Sequence, residues 1–242
     1  MELNIIHLYP DSMNLYGEYA NIALLRRHLE AAGVTVAVRA ITCEDIPDFS
    51  EADLIYMGAG TERSVMAAML ALVHHREKLM AAVDAGALLL FTGNAMTALG
   101  ASVTDAAGTV WPGLALAEFT TVETDRRRGV DVVAESSLLP SPAVGFMNKC
   151  STTAGVTTPL FDRLPLGFGN EAEGGSEGFS AGNVLATHLS GPVLVKNPAL
   201  LELVIRRLFA AKGWACPAEL PTFPHEAEAY AVTLRELQGR IK

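Results

Sequence analysis

This 242-residue sequence is poor in the residues that staple, metallate or anchor a protein. Its three cysteines, Cys43, Cys150 and Cys216, have no paired spacing. The odd count argues against a disulfide framework and fits a reducing cytoplasm. Histidine is scarce and scattered, apart from His74-His75 in helix-like sequence, where both read as surface residues. No metal site is expected, and nothing calls for a cofactor. Met1 to Leu8 has no basic segment ahead of its short apolar run, and no other run reaches membrane length. It reads as a first buried strand. The net charge is −9 and the basic residues form no stripe, so nucleic acid and anionic membranes are poor partners. Arg126-Arg127-Arg128, preceded by Glu123 and Asp125, reads as a solvated turn.

Apolar residues make up 50% of the chain, enough to bury a substantial core. Up to about residue 100, short apolar runs alternate with helical periodicity. Ile5-Ile6, Val34 to Val38, Leu54 to Met57 and Ala87 to Leu90 read as strands. Between them, Ile22, Leu25 and Leu29 form one helical stripe that stops at Gly33. Val65, Met66, Met69, Leu72 and Val73 form another, with Thr61 as its N-cap. This alternation predicts an α/β fold with a mostly parallel central sheet flanked by helices. Val110 to Val144 is β-rich and fits antiparallel pairing. Gly167 to Gly178 reads as a hairpin loop joining strands near Leu166 and Val184, its acidic residues solvated. Asn197 is expected to cap a helix with Pro198 in its first turn, and a last amphipathic helix spans about Pro224 to Leu237. Without a repeat or a long linker, residues 1–242 read as a single domain.

Phe91-Thr92-Gly93-Asn94-Ala95-Met96 follows the fourth strand and opens a helix-like stretch ending Leu99-Gly100. Strand, sharp turn and helix make the geometry of a nucleophile elbow, which lifts a reactive side chain above a sheet and aims the next N–H at an oxyanion. The apex residues are Gly93 and Asn94. Neither is a nucleophile.

Five segments in register resemble a known family: Leu15 to Ile22, Gly58 to Arg63, Val144 to Asn148, Gly167 to Asn170, and Leu189 to Pro198. Together they resemble the glutaminase subunits of lipid II isoglutaminyl synthases, within the cobyric-acid-synthase-like (CobB/CobQ) class I glutamine amidotransferases. The resemblance implies a flavodoxin-like sheet. It also implies a cysteine nucleophile, a histidine base and backbone oxyanion donors acting on glutamine. The family's Cys-Gly-Gly-Tyr-Gln places its cysteine on Gly93, and its Leu-His-Gly-Pro places its histidine on Ser190. The arginine that clamps the substrate carboxylate follows Asn-His-Gly-Gly, where this chain has Asn148-Lys149-Cys150-Ser151-Thr152. All three positions are substituted.

Weaker catalytic candidates remain. Thr92 would need a base, and His188, on the same strand face as Ser190 by the period of two, is the nearest imidazole. Its plainer reading is a residue tying down a loop. Cys150 would serve as a thiol with Lys149 lowering its pKa, or simply as a small buried residue. Gly58-Ala59-Gly60 and Thr92-Gly93-Asn94 lie at carboxyl ends of strands, where N–H groups meet small carboxylate or amide ligands, although tight turns require glycine in any case. Thr152 stands at the clamp position, and Glu18 at a position where the family resembles an aspartate. The resemblance implies a Mur-ligase-like ATP-dependent synthase as partner. It supports a binding or scaffolding subunit without glutaminase chemistry. The alternative is an active glutaminase supplying ammonia for amidation in cell-wall or cobyric-acid-like metabolism.

Overall fold

The computed structural model describes residues 1–241. The strands β1 (Glu2–Leu8), β2 (Thr35–Ile41), β3 (Leu54–Met57), β4 (Leu88–Thr92) and β11 (Val184–Thr187) form a parallel sheet ordered β2-β1-β3-β4-β11. β10 (Phe179–Ala181) adds an antiparallel edge to β11. β1 shows why this sheet is a central layer: Leu3 and Ile5 enter one apolar cluster, while Ile6 and Leu8 enter the cluster on the opposite face. Two buried faces demand near-continuous apolar strands, which β3 and β4 supply.

Helices cover both faces. α1 (Tyr19–Ala31) and α5 (Pro198–Ala211) bury Ile22, Leu25, Val204 and Leu208 on one face. α2 (Glu62–Val73) and α3 (Arg76–Asp84) bury Met69, Leu72 and Leu79 on the other. The Thr61 hydroxyl accepts from Ser64 N at 3.1 Å, so the expected N-cap is present. His74 and His75 occupy the break between α2 and α3 rather than a helix interior.

The β-rich middle forms a second sheet. β5 (Ser102–Thr104), β6 (Val110–Pro112), β7 (Thr120–Glu135) and β8 (Ala143–Ala154) order as β6-β5-β7-β8, with β9 (Arg163–Leu166) also on β7. All these pairs are antiparallel except β5 with β7. Two sequence expectations change here. Arg126 to Arg128 lie within β7 at a register shift between Glu123 and Arg128, not in a turn. The Gly-rich segment is no hairpin either, because β9 pairs in the second sheet and β10 in the first.

The sheets meet beyond the carboxyl ends of β4 and β11. Phe146 and Ser190 form an antiparallel bridge, and Leu189 packs so closely on Gly145 that an added Cβ would lie 2.4 Å from its Cδ2. Asn197 serves this junction rather than capping the helix. Its Oδ1 accepts from Val144 N at 2.7 Å, and its Nδ2 donates to Val144 O and, at the end of α4 (Val193–Lys196), to Val193 O, both at 2.8 Å. α6 (Glu226–Gln238) closes the far side of β7 and β8 through Leu237.

Candidate functional site

The turn after β4 has the elbow geometry that its sequence implies. Gly93 has φ +62° and opens a 3-10 helix, Gly93–Leu99. That dihedral favours glycine. The space above it is filled: a Cβ on Gly93 would stand 2.4 Å from Ala59 Cβ and 3.2 Å from Ala59 Cα. The Gly93 N–H donates to Leu189 O at 3.1 Å. Asn94 clamps the loop after β3, its Oδ1 accepting from Gly60 N at 3.0 Å and its Nδ2 donating to Gly60 O at 2.7 Å. A backbone donor facing the elbow is therefore engaged by a side chain of the elbow itself.

Over this turn lies a cavity of about 250 Å³, walled by Tyr16, Ala59 to Glu62, Gly93, Asn94, Arg127, Asn148, Lys149, His188 and Ser190. Tyr16, held at φ +64°, receives a hydrogen bond on its hydroxyl from Asn148 Nδ2 at 2.7 Å. Arg127 reaches the mouth, where its Nη2 pairs with Glu62 Oε1 at 2.7 Å. The Arg127 hydrogen bond is part of what holds the Glu62 carboxyl below the usual range, against a larger opposing effect of burial.

Deeper in, Lys149 is only 4% exposed and its Nζ donates to Asn170 O at 2.9 Å. Burial brings its pKa down to about 8. Beside it His188 turns Nδ1 to Glu177 Oε1 at 3.1 Å, and Nε2 is buried without a partner. Glu177 is itself fixed by Thr187 Oγ1 and the His188 N–H, each at 2.6 Å. Burial, aided by the Lys149 charge, lowers the His188 pKa to about 4. The imidazole is thus neutral at pH 7, its Nδ1–H donating to Glu177 Oε1 and its Nε2 left as an acceptor.

Several expected site residues lie elsewhere. Thr92 is fully buried, and its hydroxyl donates to Glu18 Oε2 and contacts the Tyr56 hydroxyl at 3.0 Å. It is not a cavity wall, and His188 is engaged by Glu177, so no Thr92–His188 pair forms. Glu18 is also fully buried. It accepts from Gly191 N at 2.9 Å, Asn21 Nδ2 at 3.1 Å and the Tyr56 hydroxyl at 2.9 Å. Gly58 packs on Glu18, 2.6 Å from a would-be Cβ to its Cβ, rather than on the cavity.

Cys150 faces the opposite side of β8 from Lys149, with Sγ 3.5 Å from Glu62 Oε1. Burial and the Glu62 charge push its thiol up, so Lys149 does not activate it. Thr152 pairs with Val122 further along β8 and does not line the cavity. The guanidinium at the cavity comes from β7 instead. Arg127 and Glu177 are the residues that sequence reasoning missed, the first concealed by a strand irregularity and the second by a glycine-rich segment.

His7 shares the behaviour of His188. It is buried with Nε2 unpartnered, and burial lowers its pKa to about 4 from 6.5. The unfolded chain takes up both protons as pH falls through 6.5, the folded chain only near 4. Each imidazole should therefore remove up to ~1.4 kcal/mol of stability per pH unit between those limits. Urea midpoints from pH 7 to 4 should fall steeply across that window in wild type and less in His7→Leu; identical slopes would show that His7 is solvated.

A parallel sheet ordered β2-β1-β3-β4-β11, with a tight turn and a pocket beyond its carboxyl ends, defines a flavodoxin-like, doubly wound α/β protein. The CobB/CobQ-like glutamine amidotransferase domain matches residues 4–198, and the chain belongs to that family. It is 30% identical over 230 residues, 95% of this chain and 93% of the other, to the lipid II isoglutaminyl synthase (glutamine-hydrolyzing) subunit GatD of Staphylococcus aureus. Its Streptococcus pneumoniae counterpart is 28% identical, over 92% of this chain and 86% of that one. Among solved structures, a glutamine amidotransferase superposes with TM-score 0.54 at 13% identity, over 86% of this chain and 98% of that one. The PurLQS structure from Thermotoga maritima gives 0.52 at 14%, covering 87% and 97%. These two carry the fold alone.

Among the described residues no helix is long and apolar enough to cross a membrane, and no group of histidine, cysteine and acidic residues is placed to hold a metal.

Proposed function

We propose that this chain is a GatD-like subunit that binds but does not hydrolyse at its elbow, and that it serves a Mur-ligase-like ATP-dependent amide synthase as a cytoplasmic scaffolding partner. The observation that carries this reading is the apex: Gly93 bears no nucleophile, and Ala59 occupies the space one would need. Three features support it. Asn94 holds the Gly60 N–H, Ser190 keeps its hydroxyl on Phe146 O at 3.2 Å, and Thr92 donates to Glu18. Hydrolysis of an amide through a thioester needs a thiolate and free oxyanion donors together. A carboxylate-binding role needs neither. Arg127 at the mouth offers a guanidinium to a small carboxylate once Glu62 yields.

A second reading, an active glutaminase delivering ammonia for cell-wall or cobyric-acid-like amidation, draws on one observation. The Glu177–His188 pair with its unpartnered Nε2 is a ready base. It has no nucleophile to serve. The partner half of the proposal is tested by co-expressing the chain with a Mur-ligase-like synthase from the same organism and sizing the product. A single co-eluting peak is expected, and two independent peaks at micromolar concentration would overturn it.

A further inference from the structure

The cavity has a wet rim and a dry floor. Tyr16, Glu62, Arg127 and Asn148 reach solvent, whereas His188 and Ser190 are buried. The four rim side chains are joined in a row. Asn148 Nδ2 donates to the Tyr16 hydroxyl at 2.7 Å, Arg127 Nη1 donates to Asn148 Oδ1 at 3.4 Å, and Arg127 Nη2 pairs with Glu62 Oε1 at 2.7 Å. The row starts on the loop ahead of α1, crosses β8 and β7, and ends on the first residue of α2, so it spans the mouth from one helical layer to the other. Among the described residues, Arg127 alone is hydrogen-bonded to both Asn148 and Glu62.

Arg127 also sits on backbone that the sheet does not pair. On β7 four residues, Thr124 to Arg127, stand between Glu123, paired with Ser151, and Arg128, paired with Lys149, while β8 sets only Cys150 against them. Such a bulge can carry its residues outward and leave the flanking ladder in place. The ion pair is weak as well: half exposed, it favours the closed arrangement by roughly 1- to 5-fold, and salt screens it. We propose that Arg127 is a gate: bonded to Glu62 and Asn148 it closes the cavity, and swung out on the bulge of β7 it opens the way to the floor. Loop motions of this kind set the rate of entry and release in many enzymes. The proposal concerns passage and goes beyond the binding reading above; it stands whatever the floor holds or turns over.

A charge-swap cycle, read by thiol labelling at the floor, tests this. Cys43, Cys150 and Cys216 are replaced by serine, and Ser190→Cys supplies the thiol, which a neutral maleimide reaches through the mouth. Reversing one charge, by Glu62→Arg or by Arg127→Glu, sets like charges face to face and should speed labelling at least ~2-fold, while the double reversal restores a pair and should return the rate close to that of the parent. Equal rates throughout the cycle overturn the gate. So does a double variant as fast as the singles, since bulk rather than pairing would then be the barrier. Should the Ser190→Cys chain not fold, the same cycle is read on native Cys150, whose Sγ lies 3.5 Å from Glu62 Oε1 and 3.8 Å from Arg127 Nη2. There Arg127→Glu separates opening from charge: more negative surroundings push the thiol pKa up and slow labelling, whereas an open gate speeds it. Slower or unchanged labelling overturns the proposal.

Discussion

Gly93→Cys should destabilise the chain by about 3 kcal/mol and lower Tm by roughly 10 °C, without creating a glutaminase. An L-residue in the left-handed region costs ~1–2 kcal/mol, and forcing a side chain into filled space typically adds ~1–3 kcal/mol. For a chain of this length each kcal/mol shifts Tm by roughly 2–4 °C. The clash is with Ala59 Cβ at 2.4 Å and with its Cα at 3.2 Å, so no flexible side-chain end can swing away. Adding Ala59→Gly should recover only the packing share of the lost Tm, roughly half, as measured by calorimetry or by the near-UV signal on heating. A single Gly93→Cys variant that melts with wild type would show that the apex has room for a side chain and that Ala59 does not close it. The paired variant would still face a Gly60 N–H held by Asn94, so space alone should not restore turnover.

Glu18→Ala should cost about 4 kcal/mol. The buried side chain gathers Gly191 N, Asn21 Nδ2, the Tyr56 hydroxyl and Thr92 Oγ1, joining the start of α1 to β3, β4 and the loop after Ser190. Hydrogen bonds to a charged group are worth ~1.5–3 kcal/mol each, and donors left unpaired in a dry interior add a penalty. The Tyr56 phenol responds to the same environment, its pKa raised by burial first and by the Glu18 charge second. Glu18→Asp, shorter by one methylene, should fall between wild type and alanine, since it cannot span from Tyr56 to Gly191. Urea denaturation measures both variants. A loss under 1 kcal/mol for alanine would mean that the carboxylate is not what holds this junction.

Local pattern made the parallel sheet readable. Leu54 to Met57 and Ala87 to Leu90 are apolar throughout because both faces of the sheet are covered, and helix ends are marked by the left-handed backbone of Gly33 and the capping hydroxyl of Thr61. The second sheet was legible as β-rich sequence fit for antiparallel pairing but not in its order or register, since pairing Thr120 with Ala154 is a non-local event. Arg127 was lost for the same reason. Whether a basic run is a solvated turn or a cavity wall depends on a register shift that no composition reveals. Glu177 looked like one acid among several in a glycine-rich segment. Its burial follows from the bridge between Phe161 and itself and from the Asn170 side chain that pins Gly178 at 3.0 Å. The elbow was legible in full as a turn, yet the consequence of Ala59 required the neighbouring loop's position.

Glutamate release from L-glutamine measures directly whether the elbow hydrolyses. Purified wild-type chain, alone and with its synthase partner, should release glutamate at the rate of a buffer blank, because loss of the covalent route is worth several orders of magnitude. Sustained release that is abolished by His188→Gln, Thr92→Ala or Cys150→Ala would contradict that loss, and would make this chain a rewired glutaminase.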